Sequence, residues 1–522
     1  MSLAEMLARL ADDTLRGSLP LFLPELVVVA TIVLLLLGRV SGFDRLIGPA
    51  VVALVGSATA CGVAVMQLDA MFAAGRTDAP LFSGLLSCTY VGVYVKVLAA
   101  AAAAFTVLLT GTTKLPDRED GPDYYTMLLG VTLGAMLTAS AEHLLMVVVA
   151  IEMMSVPGYV LVGFQKGRAK SGEAALKYLV FGSGASGTML YGTSLIAGTL
   201  GTASLDEIGV VLAAGTLPAG GTAVSLGVLF LTAGVAFKLS LVPFHFWSPD
   251  AYEGAPAEAA GFLSVAPKVA AFVVLVRLVE MLPADAAAGS GLIDTPRFGM
   301  LLAGLSAASM TLGNLGAFFQ RDLKRLLAYS SISHAGYLTM GVVAFACAGD
   351  RQGLSGLLYY SAAYVAMNLG LFAVVAVVRR LTRGESVDAV AGIGTRKPVL
   401  GLAAVVCAVG LIGLPPTGGF IGKIAVFAAT YAAGLNGSAA VTPWCWGLLA
   451  CAGVNTVLGL FVYLRIVKAM YFEPYDGPAD LPRVHPVEVG CLLLALAAVV
   501  ATGVTIAPLS AVTDAAVGVS TP

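Results

Sequence analysis

Fourteen apolar runs, each bounded by glycine, proline or charge, dominate this chain and leave it few ways to fold. They lie near 21–38, 47–66, 88–110, 124–140, 143–164, 176–198, 223–246, 257–281, 298–318, 325–348, 355–378, 399–434, 444–470 and 487–508. Most are about 20 residues long, the length that a helix needs to cross a hydrocarbon core of about 30 Å. None alternates as a barrel strand would, so the reading is an all-α polytopic membrane protein with about 14 transmembrane helices. The composition agrees. Only 11% of the 522 residues are charged, against about 25% in a soluble domain. A formal charge of −2 gives no basis for a polyanionic partner such as nucleic acid. Seven scattered cysteines lie almost all within apolar runs, without CxxC or a Cys/His ladder, and read as packing residues, so no metal or cofactor ligand set is expected in this chain.

Residues 1–19 lack the basic start of a cleaved signal and read as an amphipathic lead-in to the first span. Assigning the loops alternately to two sides gathers Lys166, Arg168, Lys170, Lys177, Arg321, Lys324, Arg325, Arg379, Arg380, Arg396 and Lys397 on one side. Arg277, Arg297 and Arg351 fall on the other. Lysine and arginine bias places the first side in the cytoplasm and both termini outside. A weak repeat relates Gly158-Tyr159 and Gly163 to Gly336-Tyr337 and Gly341. Five spans separate the copies, and an odd number inverts orientation, so two inverted five-helix units are expected. The divisions follow: 1–120 for three leading helices, 121–285 and 286–475 for the two repeats, and 476–522 for a last helix.

The informative residues are charges deep inside apolar runs: Glu152, Lys238, Lys268 and Lys423. Each costs on the order of 3 kcal/mol at a helix centre even on a lenient insertion scale. They must therefore face protein or water, be paired, or give up their charge. Glu152 and Lys238 are expected to form a pair. A buried amine without a partner can exchange its proton near neutral pH, which is what a proton carrier needs. Lys96, near the start of its run, is expected to snorkel to the interface, as is Lys177 at a cytoplasmic end. Prolines mark the same places: Pro157 after Glu152, Pro243 after Lys238, Pro267 just before Lys268, and Pro415-Pro416 before Lys423. Proline frees backbone polar groups, which is tolerated at membrane depth only beside protein or water. The seventh and twelfth spans thus read as broken helices. His245, His334 and Lys177 are candidate relays, His334 among serines and a tyrosine, Tyr329-Ser330-Ser331-Ile332-Ser333-His334. Gly182-Ser183-Gly184-Ala185-Ser186-Gly187 fits GxGxxG, but it follows no strand and sits in an apolar run, where small residues serve helix contact.

Several strings in combination resemble the antiporter-like membrane subunits of bacterial NADH:quinone oxidoreductase (respiratory complex I), and among them the subunit N family. They are Ile151-Glu152-Met153-Met154-Ser155-Val156-Pro157-Gly158-Tyr159, Glu173-Ala174-Ala175-Leu176-Lys177-Tyr178, Phe237-Lys238-Leu239-Ser240-Leu241-Val242-Pro243-Phe244-His245, Phe262-Leu263-Ser264-Val265-Ala266-Pro267-Lys268, Arg325 through His334, and Gly413-Leu414-Pro415-Pro416-Thr417-Gly418-Gly419-Phe420. The resemblance weakens before about residue 120 and after about 475. It implies a proton-translocating subunit in the bacterial plasma membrane, with a midplane chain of charges at Glu152, Lys238, Lys268 and Lys423. NADH, FMN, iron-sulfur clusters and quinone would belong to partner subunits. The implied partners are neighbouring antiporter-like subunits and a lateral helix from another subunit; this chain stops at Pro522 without room for its own. Tyr252-Glu253-Gly254-Ala255-Pro256-Ala257-Glu258 is more acidic than the resemblance leads one to expect. Two other readings fit the same charges: a subunit of a multi-subunit Na+(K+)/H+ antiporter, and a proton-inert scaffold.

Overall fold

The computed structural model describes residue 5 and residues 11–42, 44, 46–75, 78–113, 120–214, 220–286, 291–475 and 481–519. Of the expected amino-terminal lead-in, residues 1–4 and 6–10 lie outside the described residues, and the rest includes a helical turn at Asp13–Ser18. In chain order the helices referred to below are α1 (Leu23–Ser41), α2 (Pro49–Ala74), α3 (Tyr90–Thr113), α4 (Gly121–Ser140), α5 (Leu144–Val162), α6 (Ala169–Leu200), α7 (Gly221–Leu239), α8 (Trp247–Gly254), α9 (Ala257–Glu280), α10 (Thr295–Phe318), α11 (Leu323–Ala348), α12 (Arg351–Thr382), α13 (Pro398–Ile412), α14 (Gly418–Asn436), α15 (Thr442–Phe472), α16 (Pro486–Val504) and α17 (Ile506–Ala516), with a shorter connecting helix at Leu205–Ala213 and further short turns between them.

Local chemistry sets their ends. Asp294, Asp322 and Asp350 cap α10, α11 and α12 by accepting from the backbone N–H of Arg297, Arg325 and Gln352. Proline stands in the first turn of α2, α13, α15 and α16, where its missing N–H costs nothing.

Among the described residues, twelve helices are long and apolar enough to cross a membrane, or thirteen if the bent pair Asp388–Arg396 and Pro398–Ile412 counts as one span. The sequence led to fourteen. α4 and α6 do form over their runs, but Asp123 and the tyrosines of α4, and the glycines, serines and threonines from Gly182 to Ser194 in α6, dilute their apolar character. One departure from an all-helical chain is a small hairpin between α2 and α3. There Asp78–Leu81 (β1) pairs antiparallel with Leu86–Thr89 (β2), Asp78 opposite Thr89.

The centre of the molecule is α9, α11 and α12, whose most apolar stretches are 94%, 89% and 89% buried. α1, α2, α15 and α16 form the periphery and turn side chains such as Leu34, Leu37, Val457, Phe461 and Leu494 outward. A molecule with an apolar exterior and its charges inside is arranged for lipid. The interior is close-packed. A Cβ on Gly134 of α4 would meet Met154 N of α5 at 2.6 Å, and one on Gly313 of α10 would meet Ser333 N of α11 at 2.6 Å. The GxGxxG string is inside α6, where Gly182 gives way to the Tyr159 hydroxyl of α5.

Lys96 does not snorkel. It is fully buried on α3 and pairs at 2.7 Å with Glu25 of α1, itself fully buried. Glu25 follows Pro24 in the first turn of its helix, and nothing in the sequence singled it out as the partner of a lysine two helices away.

Candidate functional site

Among the described residues the chain turns twice through a cis proline between helices, and a buried lysine stands at each of these breaks. The first lies between α7 and α8. α7 ends at Ser240, whose φ of +60° is left-handed, and the chain then turns through a cis Val242-Pro243 bond. The turn is tied down: Leu241 N–H donates to Ala236 O at 2.8 Å, Val242 N–H to Ser309 Oγ of α10 at 2.9 Å, and Trp247 Nε1 to Phe237 O at 2.9 Å. Lys238, one turn before the break and 2% exposed, donates to Ser155 Oγ of α5 at 3.0 Å and to Tyr178 Oη of α6 at 3.3 Å. The Tyr178 ring stacks on Trp247 at 4.1 Å, which fixes its hydroxyl.

The second break separates α13 from α14 through Gly413, at φ +85°, and a cis Pro415-Pro416 bond. Lys423 follows it, 6% exposed. Its Nζ donates back to the last carbonyls of α13, Leu411 O at 3.2 Å and Ile412 O at 2.8 Å, and lies 4.4 Å from the centroid of the Tyr337 ring. Carbonyls that a helix end leaves without N–H partners, together with the negative end of its dipole, make a natural seat for an ammonium.

Between the breaks, Lys268 sits midway along the central α9, 2% exposed. It donates to Ser331 Oγ of α11 at 2.6 Å and to Ser331 O at 3.2 Å. Ser331 Oγ also accepts from Tyr364 Oη of α12 at 2.8 Å. Pro267 cannot bond the carbonyl of Leu263, and Tyr252 Oη reaches that oxygen at 3.5 Å.

Glu152 departs from expectation. Among the described residues no ion pair joins it to Lys238; it is partly exposed on α5 and accepts a hydrogen bond from Ser186 of α6, while Ser155 occupies the place beside the amine. Glu152 and Ser155 are three residues apart on α5, so the acid sits on the neighbouring part of the same helix face.

Lys177 and His245 belong to a different region, a cleft at the end of the molecule where α6 begins. Lys177 is half exposed and pairs with Glu173 and Asp250, both at 2.8 Å. Arg325 binds Asp250 and also Glu253, at 3.0 Å, and Lys170 binds Glu253 at 2.8 Å. These residues line a space of about 190 Å³, and His245 lines the adjoining space of about 370 Å³ with Lys177, Asp250, Arg325 and Tyr329. Burial pushes the Asp250 and Glu253 carboxyls up. The Lys177 and Arg325 hydrogen bonds to Asp250, and those of Lys170 and Arg325 to Glu253, outweigh it and hold both below the usual carboxylate range. Half of the acidic loop noted in the sequence is thus neutralised. Glu258, 2% exposed at the start of α9, is not: its Oε2 has no hydrogen-bond partner.

His334 is in the centre, 2% exposed on α11, with a tyrosine at each ring nitrogen: Tyr360 Oη 2.6 Å from Nδ1 and Tyr463 Oη 3.0 Å from Nε2. Sequence reasoning passed over Ser186, Ser331, Tyr364, Tyr360 and Tyr463 as contributors. The serine-rich string before His334 was the one available signal; Tyr463, 129 positions away, carried none.

Residues 141–445 match the family described as NADH:quinone oxidoreductase/Mrp antiporter, TM. Broken helices bearing buried amines, in a chain of this kind, make an antiporter-like membrane subunit. The chain is 39% identical over 477 residues to NADH-quinone oxidoreductase subunit N 2 of Sorangium cellulosum, covering 89% of this chain and 91% of that one. It is 37% identical over 495 residues to NADH-quinone oxidoreductase subunit N of an Anaeromyxobacter species, covering 91% and 92%. Of solved structures, respiratory complex I from Thermus thermophilus with bound aureothin contains a chain that matches with a TM-score of 0.73 at 29% identity, over 94% of this chain and 98% of that one. A chain of the Mrp complex from a Dietzia species shares the fold, with a TM-score of 0.79 at 19% identity over 96% and 97%. The chain belongs to the NADH-quinone oxidoreductase subunit N family.

Proposed function

We propose that this subunit moves protons along the row Lys238, Lys268, Lys423, driven by redox chemistry in partner subunits that hold the NADH, FMN, iron-sulfur and quinone sites. One observation carries the reading: among the described residues, none of the three buried lysines has a carboxylate within ion-pair distance, and each is held instead by hydroxyls or carbonyls. A static ion-pair girder would be built the other way. Amines held by neutral groups can release and regain a proton without leaving an opposite charge stranded.

In this reading Glu152, partly exposed and one helical turn from the serine that holds Lys238, acts as the charge that biases the first amine. A neighbouring membrane subunit acts on it from the outer surface of α5. Moving one charge against 100 mV takes about 2.3 kcal/mol, within reach of a carboxylate whose distance to an amine changes in a low-dielectric setting. The end with the ion-paired cleft of Lys177 and Arg325 faces the cytoplasm of a bacterial cell, with the termini opposite. His245 lies at the mouth of the route and His334 within it. Other membrane subunits and a lateral helix from one of them cover the peripheral helices.

The test is proton movement by the assembled complex in membrane vesicles. Lys238→Ala and Glu152→Ala should each lower the protons moved per NADH oxidised, with NADH oxidation by an artificial acceptor kept. Wild-type proton movement in both variants would end this reading.

A further inference from the structure

His334 lies within the route proposed above, with neither a proton donor nor a proton acceptor assigned to it. Its geometry is unusual in one respect. Both ring nitrogens meet phenols, and the phenols come from two different helices, Tyr360 from α12 and Tyr463 from α15. A neutral imidazole has one N–H and one bare nitrogen, while a phenol can donate or accept. Either tautomer therefore satisfies both contacts without moving a heavy atom.

Polar contact continues past Tyr463, and Tyr360 packs toward Lys423. Tyr463 Oη bonds Ser330 Oγ, next in the chain to the Ser331 that holds Lys268 at 2.6 Å. On the other side Tyr360 lies against Gly422, where a Cβ would meet Tyr360 Cβ at 2.7 Å, so its ring abuts α14 one residue before Lys423. Tyr337, three residues beyond His334 on α11, presents its ring face to Lys423.

We propose that Tyr360 and Tyr463 are the two proton ports of His334, and that the imidazole joins the Lys268 half of the route to the Lys423 half by shifting its N–H from one ring nitrogen to the other. The idea rests on the proton-transfer reading above. In one passage the Lys268 ammonium gives a proton, by way of Ser331 and a water, to Ser330 Oγ. The Ser330 hydroxyl proton passes to the Tyr463 oxygen, and the Tyr463 proton to Nε2. The proton on Nδ1 leaves to the Tyr360 oxygen, whose own proton goes through a water to the free amine of Lys423. Each oxygen and the ring gain one proton and lose one, Lys268 ends neutral and Lys423 charged, and nothing is oxidised. Return of the ring proton to Nδ1 and rotation of the hydroxyls reset the chain.

The experiment compares assembled complexes in vesicles, with the amount of complex measured beside protons moved per NADH. Tyr360→Phe and Tyr463→Phe remove one hydroxyl each and should lose as much proton movement as Lys268→Ala does. His334→Gln keeps a donor and an acceptor but cannot exchange them, and should fare no better than His334→Ala. Wild-type proton movement in both phenylalanine variants, alongside a defect in Lys268→Ala, would overturn the ports and leave the wider reading standing. Recovery in His334→Gln would overturn them too, because it would make the ring a spacer. Wild-type movement in Lys268→Ala itself would overturn the wider reading. Should a phenylalanine variant fail to assemble, fluorotyrosine at 463 keeps the shape and changes the acidity of the phenol: a proton-movement rate that follows fluorination supports the ports, and one indifferent to it overturns them.

Discussion

The two helix breaks solve one problem in opposite ways. At the first, Lys238 stands before the break and its partners are side-chain hydroxyls, Ser155 and Tyr178, from two other helices. At the second, Lys423 stands after the break and its partners are main-chain carbonyls that the break itself exposes. Hydroxyls turn about their C–O bonds and can donate as well as accept, so they can follow a proton on and off an amine. Carbonyls at a helix end only accept, and their direction is fixed by the backbone. The first site is built to let go and the second to hold.

The comparison breaks most visibly if the amines are removed. Lys423→Leu strands two buried carbonyls, at about 1–3 kcal/mol each, so the complex should melt earlier than with Lys238→Leu, where hydroxyls can turn to other acceptors. Equal melting temperatures would mean that the carbonyls are not a special seat. Next in size is Gly413→Ala. Its φ of +85° suits glycine, and the added Cβ would meet Lys423 Cδ at 2.8 Å, so a cost of about 1–3 kcal/mol is expected, again read by thermal melting, together with reduced proton movement. At the first break, Ser155→Ala should lower proton movement severalfold and Tyr178→Phe by less, since the serine bond is shorter, 3.0 Å against 3.3 Å; the reverse order would reassign which hydroxyl serves the amine.

The smallest effect belongs to the cleft that adjoins α8. Asp250 and Glu253 are held below the usual carboxylate range, so their contribution is present above about pH 4, the unfolded value, and is lost as pH falls through the lower folded one. Asp250→Asn should therefore lower stability by a small and constant amount between pH 6 and 8, and the melting-temperature profiles of variant and wild type should converge as pH falls below about 4. A difference that persists undiminished in acid would point to a role for the cleft beyond ion pairing.

Much of this was legible in the letters. Apolar runs announce helices, and a lysine flanked by proline within such a run announces a break with a charge beside it, because neither is cheap in lipid. What stayed hidden were partners distant in sequence. Opposite charges deep in apolar runs suggested that Glu152 would meet Lys238, but side chains three residues apart on one helix compete for the same neighbour, and Ser155 is the one that reaches it. Glu25 drew no reading at all, and only the packing of α3 against α1 brings it to Lys96. The phenols around His334 come from two other helices, and no local periodicity can show which of 17 tyrosines two other chain segments will bring to one ring.

The buried pair of Glu25 and Lys96 bears on how the chain is made. The acid emerges from the ribosome roughly 70 residues ahead of its counterpart, which at about 5–20 residues per second is a wait of some 4–14 s. For that interval the first helix carries a carboxyl group with nothing to neutralise it, so it must linger at the insertion machinery or enter the bilayer as the uncharged acid. The leading hairpin and the third helix are thereby committed to one another during biogenesis, and a chain cut short after the second helix would be a poor resident of any membrane.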